Sequence, residues 1–105
     1  MAKRSLESLT ESMFYVLMSL LRQDLCGTEM AQFAETKTHG RVRMGPGTLY
    51  TILAKFEEEQ LIKEVRVAGR KRTYRITERG LSLYREEVTR LRACVQDAER
   101  EEGAS

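Results

Sequence analysis

The sequence predicts a mainly α chain that carries one small β-hairpin. Three observations support this. Four stretches repeat their apolar residues at helical spacing. Two short alternating runs, Ile62–Ala68 and Lys71–Thr77, flank Ala68-Gly69-Arg70, a turn whose glycine is free to take φ > 0. The final stretch, from Glu78 to about Arg100, holds a narrow apolar seam of the kind that meets a partner helix. At 105 residues the chain is one small domain with room for a modest core. Its charged fraction of 32% fits a solvated, helix-rich protein.

Helix 1 is expected from about Leu9 to Gln23, opened by the capping-box pattern Ser8-Leu-Thr-Glu11. Met13, Phe14, Leu17, Leu20 and Leu21 form a broad apolar face, widened by Val16 and Met18. A face that wide is buried on more than one side, in the core or partly against a second subunit. Asp24-Leu-Cys-Gly27 breaks it. Helix 2 runs from about Thr28 to Thr36, turns Met30, Phe33 and Ala34 inward, and stops at Gly40. Arg41-Val-Arg-Met44 reads as a short strand, so the connection to the next helix is longer than a tight helical turn.

Helix 3 opens at Gly45-Pro46-Gly47 with the chain's single proline, which suits a first helical turn because its missing N–H has no partner there in any case. Leu49, Ile52, Leu53 and Phe56 make one apolar stripe, the core side. The other side shows Gly47, Thr51, Ala54, Lys55 and Glu58, flanked by Thr48 and Tyr50. Small and hydrogen-bonding groups on the first turns suit a helix that enters the DNA major groove. Glu57, Glu58 and Glu59 oppose that reading, but they lie at the carboxyl end, expected to point away from the groove.

Arg66, Arg70, Lys71, Arg72 and Arg75 then place five positive charges on the hairpin with no acid among them. Such clustering matters more for phosphate binding than the net charge, which is only +2. Three helices followed by a basic hairpin is the order of a winged helix-turn-helix. In the last helix Leu81, Tyr84, Val88, Leu91, Val95 and Ala98 alternate three and four apart, an a/d seam between charged neighbours. It is short for a self-sufficient coiled coil, so it is expected to dimerise with help from helix 1. The implied organisation is a winged helix-turn-helix over 1–77, a dimerisation helix over 78–100 and a disordered tail over 101–105.

No stretch spans a bilayer and no signal-peptide pattern follows Met1, so the expected location is the cytoplasm. Cys26 and Cys94 lack metal or redox spacing and read as reduced, semi-buried thiols. His39 is the only histidine, and it has no cysteine nearby. No catalytic constellation, metal site or cofactor motif is expected.

Leu9-Thr-Glu-Ser, Gly45-Pro-Gly-Thr-Leu-Tyr50, Glu58-x-x-Leu-Ile62 and Gly69-Arg-Lys-Arg-Thr-Tyr-Arg-Ile-Thr-Glu-Arg-Gly80 together resemble the PadR family of bacterial transcriptional regulators, over about Leu9 to Leu91. The resemblance implies a dimeric winged-helix repressor on double-stranded DNA, with helix 3 in the major groove and the hairpin as wing. It allows a small-molecule effector without identifying one. The chain departs from the family's pattern in Cys26-Gly-Thr-Glu-Met and in having no tryptophan on which a planar drug would stack. The expected DNA contacts are Arg43, Gly47, Thr48, Tyr50, Thr51, Lys55, Arg70, Lys71 and Arg72. The expected homodimer contacts are Phe14, Leu17, Leu81, Tyr84, Val88, Leu91 and Val95. The alternative reading is a winged-helix protein-interaction adaptor, which has no need of five positive charges on its wing.

Overall fold

A computed structural model describes residues 9–103, in the order α1 (Glu11–Ser19), β1 (Leu25–Cys26), α2 (Gly27–Lys37), α3 (Pro46–Glu58), β2 (Ile62–Ala68), β3 (Lys71–Ile76) and α4 (Glu78–Gly103). The apolar stripe of α3 is the centre of the core. Leu49, Ile52, Leu53 and Phe56 are buried, and Val16, Leu17, Leu20, Met30, Leu61, Ile62 and Leu83 converge on them from the other elements.

α1 is shorter than its apolar pattern. Thr10 caps it, its hydroxyl accepting the Met13 N–H at 3.2 Å. Ser8, the expected cap, lies outside the described residues. The helix ends at Ser19 rather than Gln23, where Leu20 and Leu21 bond back to the carbonyls of Leu17 and Met18 in a tighter final turn. The segment read only as a break then forms β1, which pairs antiparallel with β3, Leu25 opposite Tyr74 and Cys26 opposite Thr73. Two residues are too few for an alternating signature.

Cys26 also opens α2, its N–H donating to Glu29 Oε1 at 2.9 Å. α2 ends with the Gly40 N–H on Glu35 O at 2.8 Å and the His39 N–H on Thr36 O at 3.3 Å, the pair of bonds of a Schellman stop. His39 takes the left-handed position, φ 53°, ahead of the expected Gly40. The run Arg41–Met44 is not a strand. Val42 is buried, and its N–H goes to Thr38 Oγ1 at 2.9 Å, which removes the donor a ladder would need. α3 closes with a second Schellman stop: the Leu61 N–H reaches Phe56 O at 2.8 Å, and both side chains are buried.

The sheet order is β1-β3-β2. Ala68 pairs with Lys71, leaving Gly69, φ 62°, and Arg70 as the hairpin loop. The register slips between Glu64 and Arg66, so Val65 is the extra residue of a bulge. The alternation expected of β2 therefore does not bury its valines, and Val67 is 57% exposed.

Thr77 ties α4 to the end of α3. Its N–H donates to Leu61 O at 3.0 Å, its hydroxyl donates to Gln60 O at 2.7 Å, and the same oxygen accepts the Gly80 N–H at 3.0 Å. α4 continues to Gly103, past the expected end at Arg100. The expected tail is thus helical over 101–103, while Ala104 and Ser105 lie outside the described residues.

The carboxyls of Asp24, Glu29 and Glu87 are held below their ordinary range. The Arg75 guanidinium bonds Asp24 at 2.8 and 3.1 Å, the Cys26 N–H bonds Glu29, and Arg90 bonds the buried Glu87 at 2.5 and 2.9 Å. A carboxyl lowered by folding adds stability that is complete above its unfolded pKa and lost as pH falls through its folded value. Thermal unfolding is accordingly expected to be flat from pH 7 to 5 and to weaken below about pH 4. Asp24→Asn is expected to flatten that acid limb.

Candidate nucleic-acid interface

α3 offers its amino end to solvent. Gly45, the cap, has no side chain to cover the helix's first N–H groups, and Pro46 follows at the first turn. Those groups carry partial positive charge that favours a phosphate. Gly47, Thr48, Tyr50 and Thr51 are all exposed, Tyr50 at 63%. The Thr51 hydroxyl donates to Gly47 O at 2.9 Å, so its methyl and its lone pairs are what remain for a partner.

A Cβ on Gly47 would meet nothing within 4 Å, so no contact inside the fold requires a glycine there. Alanine in an exposed helical position is better than glycine by up to about 1 kcal/mol. Gly47→Ala is therefore expected to raise the melting temperature while weakening DNA binding, by pushing the backbone off the groove. Denaturation and gel shift on the same sample check both signs.

The cations divide into two sets. Arg70 and Lys71, at the hairpin tip, are exposed and have no ion-pair partner within 4 Å among the described residues. Arg72 faces Glu64 at 3.9 Å, and Arg43, largely exposed, lies 4.0 Å from Glu35. Lys55 is half-buried and turned to Glu58 and Glu59 at 3.6 and 3.8 Å, along its own helix rather than toward a groove. Arg75 is committed to Asp24, a bond that fastens β3 to the segment leading into β1. Surface pairs of this kind are weak and exchangeable, so Arg43 and Arg72 stay available to phosphate.

Tyr50 and the wing residues Arg70, Lys71 and Arg72 line one cleft of about 770 Å³, together with Leu53, Ala54 and Tyr74 and with Cys26 to Glu29 where β1 meets α2. Burial pushes the Tyr74 phenol above its ordinary range. Glu57 lines the same cleft, against the expectation that the acidic end of α3 turns away. It stands seven residues, two helical turns, after Tyr50, which is the signal that places both on one face. Arg43 and Lys55 do not line the cleft.

The seam of α4 divides in two. Leu81, Tyr84 and Val88 are half-buried, and Tyr84 stacks on Phe14 of α1 with ring centroids 5.1 Å apart. Leu91 and Val95 are exposed and form, with Phe14 and Val88, an apolar groove of about 400 Å³. Leu17, expected at a subunit contact, has no accessible surface and belongs wholly to this chain's own core. Leu83 and Glu87, off the seam, are buried instead.

Three helices, a two-residue strand between the first two, and a basic β2–β3 hairpin beside α3 define a winged helix-turn-helix protein. The chain matches the profile of the transcriptional regulator PadR-like family over residues 16–86, and it belongs to that family. Its fold is similar to that of a transcriptional regulator from Clostridium thermocellum, with 24% identity, TM-score 0.76, and coverage of 85% of this chain and 87% of the other. A PadR family transcription regulator from Clostridium difficile is 17% identical, TM-score 0.67, covering 91% and 100%. A PadR-like transcription factor from Bacteroides fragilis is 16% identical, TM-score 0.71, covering 84% and 86%. No protein of curated function matches. Among the described residues no group of three His, Cys, Asp or Glu side chains could hold a metal ion, and no helix is long and apolar enough to cross a membrane.

Proposed function

We propose that this regulator is a homodimeric, sequence-specific DNA-binding repressor of the bacterial cytoplasm. The observation that carries the reading is the exposed amino end of α3, with Gly47, Thr48, Tyr50 and Thr51, whose Tyr50 shares a cleft with a wing tip where Arg70 and Lys71 have no ion-pair partner within 4 Å among the described residues. The first turns of α3 enter the major groove, where Thr51 and Tyr50 meet base edges and the helix N-terminus meets a phosphate. The wing lies along the adjacent backbone or minor groove. Lys55, turned to Glu58 and Glu59, reaches the DNA backbone by exchanging those weak pairs for a phosphate. The exposed half of the α4 seam, Leu91 and Val95 with Phe14 and Val88, supplies the subunit contact that doubles the reading head. Bound across two half-sites, the dimer blocks transcription by occupancy.

Binding to duplex DNA is expected to weaken linearly in log K against log salt, with a slope of about 0.9 per phosphate neutralised. Fluorescence anisotropy between low and physiological salt measures it. An adaptor that uses its winged helix for protein contacts would show neither a steep slope nor salt-dependent retention on heparin.

A further inference from the structure

We infer that the cleft between α3 and the wing binds a free nucleoside phosphate, and that this ligand competes with DNA for the regulator. The consequence for DNA rests on the proposed function, whereas the binding itself does not.

The cleft gathers charges of both signs from different elements of the fold. Arg70 and Lys71 line it from the hairpin, Glu57 from α3 and Glu29 from α2; Glu29 accepts the Cys26 N–H and lies within electrostatic reach of Lys71, whereas among the described residues Arg70, Lys71 and Glu57 have no ion-pair partner within 4 Å. A simple anion is drawn to the wing and repelled by Glu57, and a simple cation meets the reverse. A ligand with a phosphate at one end and N–H donors at the other answers both signs of charge. The rest of the lining includes the exposed Tyr50 ring, Leu53, Ala54 and the buried Tyr74. A planar heterocycle stacks on such a surface largely irrespective of its identity.

The volume of about 770 Å³ falls within the range of small-molecule sites, roughly 300–1,000 Å³. A surface built for DNA backbone alone gains nothing from Glu57, which repels phosphate. A bifunctional ligand gives that carboxylate a role. Bound, the ligand covers Tyr50 and occupies Arg70 and Lys71, the groups that DNA needs.

The test is calorimetric titration of the full chain with adenosine and guanosine monophosphates, with the matching nucleosides and with inorganic phosphate. At least one nucleotide is expected to bind, and its nucleoside and phosphate alone about tenfold or more weakly. Glu57→Gln, at an exposed position, is expected to cost about tenfold in nucleotide affinity while leaving DNA affinity equal or tighter. The nucleotide is expected to displace a DNA duplex in anisotropy. Absence of binding by every nucleotide overturns the inference, as does binding that Glu57→Gln leaves unchanged. Binding without displacement of DNA overturns the competition. A chain that binds nucleotide but no DNA refutes the proposed function and leaves the cleft assignment standing.

Discussion

Replacing Arg70 and Lys71 together by alanine is expected to lower operator affinity about a hundredfold, from two charge-assisted contacts of about 1.5 kcal/mol each. Both side chains are exposed and have no ion pair among the described residues, so their loss leaves the fold intact. The salt slope is expected to shrink by about 0.9 for every phosphate contact removed. Arg72→Ala is expected to cost less, because Glu64 competes for that guanidinium before DNA arrives. Anisotropy at several salt concentrations, with far-ultraviolet circular dichroism as the control for folding, measures both effects. Equal affinity in the double variant would remove the wing from the interface.

Gly80→Ala is expected to be the most destabilising single substitution of a surface-sized residue in the chain. A Cβ at that position would lie 2.1 Å from the Leu61 carbonyl oxygen and 2.9 Å from a side-chain carbon of Ile76. Neither the backbone at Leu61 nor the start of α4 can yield cheaply. The Leu61 carbonyl accepts the Thr77 N–H, and Thr77 caps the helix through Gly80 itself. The expected loss is about 3 kcal/mol, at the upper end for overpacking. Gly103→Ala is the matched control on the same helix, since its Cβ would meet nothing within 4 Å. Chemical denaturation of the two variants separates the close approach from helix propensity.

The elements legible in the sequence were those with strong local signals. Pro46 marked the start of α3, the Leu49–Phe56 stripe marked its inner face, and Gly69 marked the hairpin turn, all as the structure has them. The parts that escaped were decided by distant partners. β1 is two residues long and exists because β3 offers it an edge. The Val65 bulge breaks an alternation that the residues themselves display. Val42 imitates a strand residue, but the Thr38 hydroxyl takes its N–H. Thr10 caps α1, and the helix stops four residues early because its last apolar residues fit a tighter turn.

The candidate interface divides the same way. Exposure of Gly47, Thr48, Tyr50 and Thr51 follows from helical spacing alone, and so does the shared face of Tyr50 and Glu57, which separates Glu57 from the other two acids of the Glu57–Glu59 block. The pairing of Lys55 with Glu58 and Glu59 is an ordinary three- and four-residue helical spacing, legible in the sequence. The burial of Leu17 and the half-burial of Tyr84 are different in kind. An apolar residue on a broad helix face fits a protomer's own core and a partner's surface equally well, and only the packing of α1 on α4 assigns it.

Selection of bound sequences from random duplex DNA by the full chain is the most direct measurement of the central claim. The expected result is enrichment of a two-fold-symmetric sequence with half-sites about 34–36 Å apart, or a multiple of that, as two α3 helices on a symmetric dimer demand. Gly47→Ala and Tyr50→Ala are expected to reduce that enrichment. Recovery of the unselected random pool, or of a single unrepeated site, would contradict a dimeric sequence-reading repressor.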